Sequence, residues 1–227
     1  MSSVKHSGEN CEGRDNSVNK LITFEGVDGC GKSTQLKLAA AWLQARGEKV
    51  VTTFEPGDTA LGKEIRRLLL AGEFVPVAEA ELLLFLADRA QHVREVIQSA
   101  LDAGAWVLSD RYSDSTLAYQ LAARKLGESA SNLKEMLRFA ECGISPALTL
   151  WFDLPVAIAA QRMKKRAETG EKSTRLDDEA ISFHERVAAA FSDQFEADDG
   201  RIVRIDASRD ISGVQAQVEA VLQASYS

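Results

Sequence analysis

The chain has 227 residues, 45% of them hydrophobic and 27% charged, which fits one globular domain with a real core and argues against a disordered chain. Its formal net charge of −7 argues against a protein that binds a nucleic-acid backbone, since such proteins usually carry a basic face. The cysteines lack metal-type or disulfide spacing, and no apolar run is long enough to span a membrane, so we predict a cytoplasmic protein without a membrane segment.

The N-terminus is polar, and its first 19 residues lack the apolar stretch of a signal peptide. We therefore predict a flexible tail over residues 1–19. Beyond it the hydrophobic pattern predicts about five strands, each an uninterrupted apolar run. The predicted strands are Leu21–Glu25, Val50–Phe54, Trp106–Asp110, Leu148–Asp153 and Arg201–Asp206.

Helical patterns separate these strands. They cover residues 32 to about 47, 61–70, 77–103, 115–125 and 132–141, the stretch from Pro155, the stretch after residue 174 to about Phe195, and the C-terminal stretch. Strands that alternate with helices and are apolar on both faces predict an α/β fold: a parallel sheet between two layers of helices, in a single domain over residues 20–227. Ligands of such folds bind at the carboxyl ends of the strands, and every predicted strand end here carries a charged residue.

The stretch after the first strand, Gly26–Ser33, reads G-V-D-G-C-G-K-S and fits the phosphate-loop pattern G-x-x-x-x-G-K-[ST]. Its glycines let backbone N–H groups surround a phosphate, and the following helix presents its positive end to the same anion. Lys32 can bridge the terminal phosphates, and the Ser33 hydroxyl can bind Mg²⁺. We therefore expect a nucleoside triphosphate with Mg²⁺, because a strand precedes and a helix follows the motif; the alternative is a glycine-rich turn with a surface lysine.

The loop alone allows a GTPase, a motor-type ATPase or a small-molecule kinase. Guanine-specific GTPases usually carry N-K-x-D beyond the phosphate loop, but the only Asn-Lys pair here, Asn19-Lys20, precedes it. The sequence therefore disfavours a GTPase.

Three further features indicate an acceptor site. Asp28 lies inside the phosphate loop, where it repels a triphosphate unless it faces an acceptor hydroxyl or a metal; the alternative is that it faces solvent. At the third strand end, Asp110 can hold Mg²⁺ through water and Arg111 can clamp a phosphate, although the two residues can equally form a surface pair. Phe85 and Arg89 share one helix face and can stack on and bind a base, unless Phe85 belongs to the core.

Together these segments resemble the thymidylate kinase family of phosphate-loop kinases. The resemblance rests on FEGVDGCGKST, EPG followed by IRRLLL, LLLFLADRAQHV, SDRYSDSTLAYQ and the arginine-rich segment near Arg162–Arg175. It implies a phosphate-loop NTPase three-layer fold with a mobile lid at about 162–178, transfer of a phosphoryl group from MgATP to dTMP for dTTP biosynthesis, and a homodimer. Two rivals stay open: a related nucleotide or deoxynucleoside kinase with another acceptor, and a non-kinase ATPase switch.

The resemblance also implies site residues. Those for ATP are Gly26, Val27, Asp28, Gly29, Cys30, Gly31, Lys32, Ser33, Thr34 and Ser208. Those for dTMP are Asp28, Glu55, Pro56, Arg66, Phe85, Arg89, Arg111, Thr116, Tyr119 and Gln120, with Tyr119 crowding the 2′ position of the sugar. Those for Mg²⁺ are Ser33 and Asp110.

Some members of the family place a catalytic arginine in the phosphate loop, at the position that Gly29 holds here. The charge on the transferring phosphoryl group must then be met from the lid. For this role we favour Arg166 and Arg175 over Arg162; Lys164 and Lys165 lie between the arginines. The alternative is that these basic residues form a solvated helix face. The predicted catalytic set is Lys32, Arg111, Arg166, Arg175 and Asp28.

Overall fold

The structure is a computed structural model that describes residues 19–71, 73–126, 132–170 and 173–225. Within these residues, five strands form one sheet. The strands are β1 (Leu21–Glu25), β2 (Val50–Phe54), β3 (Trp106–Asp110), β4 (Leu148–Asp153) and β5 (Ile202–Asp206). The predicted strands are thus confirmed, with the last beginning one residue later than predicted.

The strand pairings within the described residues are all parallel, in the order β2-β3-β1-β4-β5. Central strand β1 is buried throughout, and its Ile22 pairs with Leu108 on one side and Leu148 on the other. The chain runs from β1 to one side of the sheet for β2 and β3, then to the other side for β4 and β5. A ligand crevice is expected where the order reverses, at the carboxyl end of β1.

Helices cover both faces of the sheet. In the described residues they are α1 (Lys32–Gln44), α2 (Ala60–Leu70), α3 (Ala78–His92), α4 (Gln98–Asp102), α5 (Ser113–Thr116), α6 (Leu133–Ala140), α7 (Val156–Glu168), α8 (Ile181–Ala197) and α9 (Ile211–Ser225). Ile22 and Phe24 of β1 pack in one cluster with residues of α1 and α9, whereas Leu21 packs with Val93 and Ile97 on the opposite face. The predicted α/β/α fold is confirmed.

Two of the predicted helices contain π-helical segments. Val93–Ile97 joins α3 to α4, and Leu117–Ala123 continues α5. The sequence predicts helices over 77–103 and 115–125 but not these wider turns, because one extra residue in a turn hardly changes the apolar stripe. The second segment carries Tyr119 and Gln120, so the wider turn belongs to the wall of the candidate site.

Some predicted segments fall at the edges of what is described. Residues 1–18 of the predicted tail and residues 171–172 of the predicted lid lie outside the described residues. Asn19 is joined to the domain, since its side-chain amide donates a hydrogen bond to the Ser145 carbonyl at 2.6 Å. In the part of the chain that is described, no helix has the length and apolar character that a membrane span requires.

Candidate active site

A cleft of about 2060 Å³ opens at the carboxyl ends of the strands. Loops that follow β1, β2, β3 and β5 line it, together with residues of α3, of the π-helical segment after α5, and of α7. Because these loops meet where the strand order reverses, the topology brings together the motifs that lie far apart in the chain.

The phosphate loop, residues 26–33, joins β1 to α1. Gly26 has φ 142°, and a Cβ there would lie 2.7 Å from the Phe152 carbonyl oxygen, so only glycine fits this close approach. Gly31 directly precedes α1, and Lys32, the first residue of the helix, is 6% exposed on the cleft wall. The loop therefore presents the positive end of a helix and a lysine to an anion in the cleft.

Asp28 lies at the junction between the phosphate loop and the rest of the cleft. Its carboxylate accepts hydrogen bonds from Arg111 at 2.6 Å and from the Tyr119 hydroxyl at 2.8 Å, and lies 3.6 Å from the Lys32 ammonium. Burial by itself would raise the pKa of Asp28, but the charges of Arg111 and Lys32 outweigh it and hold the pKa well below its usual range. Asp28 thus contacts cations in the structure, and the alternative that its side chain faces solvent is wrong.

Arg111 lies at the same junction, in contact with Asp28. Its backbone has φ 79°, a left-handed conformation that is uncommon for a residue with a side chain. Besides Asp28, its guanidinium donates hydrogen bonds to the Gly26 carbonyl, the Ser115 hydroxyl and the Tyr119 hydroxyl. Four hydrogen-bond acceptors hold the guanidinium in one orientation. The strained backbone of Arg111 therefore carries a positive charge that is fixed in the cleft.

A second guanidinium faces the same space. Arg66 lines the cleft and donates a hydrogen bond to the Pro56 carbonyl at 2.7 Å. Burial, followed by the neighbouring charge of Arg111, lowers the pKa of Arg66. The positive charge of Arg111 disfavours the charged form of Arg66. An anion near both guanidinium groups is stabilised, because it relieves this repulsion.

The predicted metal residues are brought together. The Ser33 hydroxyl donates a hydrogen bond to the Asp110 carboxylate at 2.5 Å, and both residues line the cleft. Within the described residues no group of three or more His, Cys, Asp or Glu side chains has the placement of a metal site. One hydroxyl and one carboxylate fit Mg²⁺ that keeps waters and phosphate oxygens as its other ligands, and not a cage built wholly of protein.

The residues predicted to recognise the base line the same cleft. Phe85 is half-buried, lines the cleft and also packs against the core, so its position is compatible with either role that the sequence allows. Arg89 is 2% exposed, and its guanidinium donates to Glu55 at 2.9 Å and to the Thr116 hydroxyl at 2.9 Å. Thr116 and Gln120 complete this wall.

A family model for thymidylate kinase matches residues 24–218. The chain belongs to the thymidylate kinase family. Thymidylate kinases from Nostoc punctiforme, Carboxydothermus hydrogenoformans and Desulfovibrio desulfuricans are 43%, 47% and 44% identical to it. These matches cover 90%, 80% and 90% of this chain, and 95%, 89% and 95% of the respective relatives.

Within the phosphate loop, Gly29 lies against helix α7. A Cβ there would lie 2.7 Å from the Ala159 carbonyl oxygen and 3.0 Å from Met163 Cγ, both on α7. Helix α7 therefore packs directly on the backbone at Gly29, the position for which the family resemblance implies an arginine in some members. The loop has no room for that side chain while α7 lies where it does.

The predicted lid residues separate into different environments. Arg162 donates hydrogen bonds to the Cys30 and Ala207 carbonyls, at 3.4 Å and 3.2 Å, and so joins the phosphate loop to the loop after β5. Arg166 lies one turn further along α7 and lines the cleft. Lys164 and Lys165 line the cleft as well. Arg175 instead bonds Glu81 at 2.5 Å, outside the residues that line the cleft.

Ser208, predicted near the donor nucleotide, follows β5. Its backbone N–H and its hydroxyl both donate hydrogen bonds to Asp206, while its neighbours Ala207 and Arg209 line the cleft. The loop thus lines the cleft through the residues on either side of Ser208.

Sequence reasoning missed the buried acids beneath the site. Glu55 was predicted only as one of the residues for dTMP, and its pairing with Arg89 and its position 2.8 Å from His92 Nδ1 were not predicted. Glu25 is fully buried; it accepts hydrogen bonds from the Tyr112 backbone N–H and the Ser115 hydroxyl. Burial, followed by the charge of nearby Asp114, raises the pKa of Glu25 to about 8. The sequence signal for such a buried acid is a carboxyl residue at the end of an apolar strand, as in LITFE.

Proposed function

We propose that this chain transfers the γ-phosphoryl group of MgATP to dTMP, giving dTDP and ADP, a step in dTTP biosynthesis. As a member of the thymidylate kinase family it is a phosphotransferase. One observation carries the substrate assignment: a pocket walled by an aromatic ring and a buried arginine opens beside a phosphate loop, and Asp28 and Arg111 join the two.

The donor half of the proposal rests on the phosphate loop. Backbone N–H groups of residues 26–34 and the Lys32 ammonium bind the phosphates, and Arg162 holds the loop against the segment after β5 where the adenine lies. Ser33 and Asp110 hold Mg²⁺, which neutralises charge on the terminal phosphates when it is bound. The phosphate loop and Arg162 thereby position the donor nucleotide.

The acceptor half rests on the opposite wall. Phe85 stacks on thymine, and Arg89 binds its edge. The acceptor phosphate lies between Arg66 and Arg111, where two cations face one space. Tyr119 limits the 2′ side of the sugar, since its ring is held edge-on by Phe183 and Phe191 at centroid distances of 6.1 Å and 6.5 Å.

Transfer needs no general base, because the acceptor phosphate is already an anion and attacks directly. Catalysis is then alignment together with neutralisation of charge on the transferring group. Lys32 and Arg111 both reach the Oδ1 atom of Asp28, at 3.6 Å and 2.6 Å, so two cations converge beside the transferring group. Because Gly29 brings no charge, we assign the third cation to Arg166 of α7, which lines the cleft.

Arg175 takes a different part in this proposal. It binds Glu81 and donates a hydrogen bond to the Leu69 carbonyl at 3.0 Å, so it holds residues 173–180 against α2 and α3. We propose that residues 162–178 act as a lid that closes over both nucleotides and excludes water, within a single domain formed by residues 20–227.

The test is turnover of ATP with a panel of acceptors: dTMP, dUMP, dCMP, dGMP and UMP. We expect dTMP to be the best acceptor and UMP a poor one. A better rate with another base would identify a related nucleotide kinase, and ATP hydrolysis that ignores every acceptor would identify an ATPase switch.

We also propose a cytoplasmic homodimer. Cys30 and Cys142 are free thiols, as a reducing compartment favours. On α3, Leu83 is 55% exposed on the face away from the cleft, which supports packing against a second copy. Sedimentation tests this proposal: a species of one chain mass at micromolar concentration would reject it.

A further inference from the structure

Glu81 is a buried carboxylate in α3, one turn before Phe85. It is 1% exposed, and the function proposed above gives it no role beyond its bond to Arg175. Four hydrogen bonds reach it: from the Gln120 amide at 3.0 Å, from Arg124 at 3.1 Å to each oxygen, and from Arg175 at 2.5 Å. Burial would raise the pKa of Glu81, but these hydrogen bonds outweigh burial and lower it. Glu81 therefore accepts hydrogen bonds as an anion.

The hydrogen bond from Gln120 to Glu81 fixes the orientation of the Gln120 amide in the cleft. A carboxylate cannot donate, so the Gln120 amide must direct its nitrogen at Glu81. Gln120 lines the cleft one turn from Thr116, and among the described residues no protein group donates to its carbonyl oxygen. That oxygen is then the polar group which Gln120 offers to a ligand.

Arg89, on the same wall, offers the opposite polarity. It has only donors; Glu55 and Thr116 occupy some of them, and Arg89 lines the cleft. A base edge that meets both residues needs an acceptor for Arg89 beside a donor for Gln120. The O4 and N3–H of a pyrimidine-2,4-dione have this pattern, whereas the N4 amine and N3 of cytosine have its reverse.

We propose that Glu81 is a specificity-determining positioning residue: by fixing the amide of Gln120, it makes the pocket accept a base with an N3–H and reject cytosine. The inference rests on the proposed function and adds the cause of its base selectivity. Glu81 itself does not touch the base. Because thymine and uracil share the N3–H, Glu81 does not distinguish these two.

The experiment uses Glu81→Gln, whose neutral amide lets the Gln120 side chain turn over. The readout is the ratio of kcat/KM for dTMP to that for dCMP. We expect this ratio to fall about tenfold or more, since one hydrogen bond to the base becomes unmade or reversed. The ratio of dTMP to dUMP should stay as it is in the unmodified chain.

Glu179→Gln is the matched control. Glu179 belongs to the same ionic cluster and lies 2.6 Å from Arg124 and 3.8 Å from Arg175, but it does not contact Gln120. The charge change is identical, so Glu179→Gln should leave the dTMP to dCMP ratio unchanged. In a Gln120→Leu background, Glu81→Gln should have no further effect on that ratio.

Three results would overturn the inference: an unchanged ratio in folded Glu81→Gln, an equal fall in Glu179→Gln, or a further fall in the Gln120→Leu background. If Glu81→Gln does not fold, Glu81→Asp keeps the charge but withdraws the acceptor from Gln120, and an unchanged ratio there rejects the inference equally. Failure of the unmodified chain to phosphorylate dTMP is a separate result, which rejects the proposed function instead.

Discussion

Arg111 is the residue on which the two halves of the cleft depend. Its backbone is in the left-handed region at φ 79°, a conformation that costs about 1 kcal/mol or more for a residue with a side chain. The Glu25 carboxyl offsets this cost by accepting the N–H of Tyr112, the next residue, and the hydroxyl of Ser115. The strain therefore serves to direct a buried guanidinium at Asp28.

Arg111→Ala should reduce kcat by about 100-fold or more, because a fixed cation at the acceptor phosphate is lost. Circular dichroism should show the fold retained. Arg204→Ala is the control, since Arg204 is an exposed arginine that also bonds a carboxylate, Asp153, away from the cleft. Full activity of Arg111→Ala would rule out its role at the phosphate.

Phe85→Ala should weaken dTMP binding by roughly 1–3 kcal/mol, the usual loss when a base–aromatic stack is removed. Calorimetry should show ATP affinity unchanged, because Phe85 belongs to the proposed acceptor half of the cleft and not to the phosphate loop. Phe139→Ala is the matched control, since Phe139 is exposed on α6 and does not line the cleft. Equal dTMP affinity in Phe85→Ala and the unmodified chain would contradict the stacking role.

Among the elements, the phosphate loop and α7 are in direct contact. Gly29 lies so close to α7 that an added Cβ would lie 2.7 Å from a backbone oxygen. The loop and α7 therefore form one unit, and Arg162 strengthens it by donating a hydrogen bond to the Cys30 carbonyl.

Gly29→Ala should disrupt the contact between the phosphate loop and α7. We expect a loss of unfolding free energy of about 1–2 kcal/mol from the positive φ alone, and more from the clash. ATP affinity should fall as well. Gly47→Ala is the matched control: its φ of 85° is close to the 82° of Gly29, but a Cβ there meets nothing within 4 Å. Equal destabilisation of both variants, measured by urea unfolding, would show that the contact with α7 is unimportant.

The elements themselves were largely predictable. The strands match because each is a continuous apolar run that ends in a charged or glycine-rich loop, and β1 to β4 have the predicted bounds. The phosphate loop was predictable because its glycines, Lys32 and Ser33 are local in sequence. The π-helical segments were not, since the hydrophobic period does not record one extra residue in a turn.

At the scale of the whole molecule, polar side chains under the cleft link strands and helices that are distant in sequence. Asp114 forms a double hydrogen bond with Arg201, at 2.7 Å and 2.9 Å, and accepts another from Thr149 at 3.0 Å. Glu25 lies close enough for the charge of Asp114 to raise its pKa. These contacts join β1, β4 and α5 beneath the residues that bind nucleotide.

These contacts explain what the sequence does not reveal. The acids that orient the site residues pair across long separations, as Glu55 does with Arg89 and Glu81 with Arg175. Local periodicity places each of these residues on an element, but only the packing of elements decides which acid meets which arginine. Arg175 was therefore predicted as catalytic from its lid position, and its bond to Glu81 was not foreseen.

The buried acid Glu25 predicts a dependence of stability on pH. Its pKa is about 8 in the fold, against 4.5 for an ordinary glutamate, so the folded state binds more protons between these values. The free energy of unfolding should therefore fall as pH rises through this window and level off above it. The charged groups whose fields reach Glu25 are Asp114, Arg111, Arg89 and Arg201.

Glu25→Gln should remove this part of the pH dependence. Between pH 6 and 8 the unmodified chain should lose on the order of 1–2 kcal/mol relative to the variant. Asp88, whose pKa burial raises to about 6, is present in both chains and cancels from the comparison. Urea unfolding at several pH values measures the difference; a difference that stays constant with pH would contradict the assignment.

In the proposed complex, two nucleotides lie end to end in one cleft, across Asp28. A crystal structure with dTMP and a non-hydrolysable ATP analogue tests this arrangement. We predict the analogue on the phosphate loop, thymine on Phe85 with its edge toward Arg89 and Gln120, and the acceptor phosphate between Arg66 and Arg111. Density for the ATP analogue alone, or dTMP bound outside this cleft at saturating concentration, would contradict the claim.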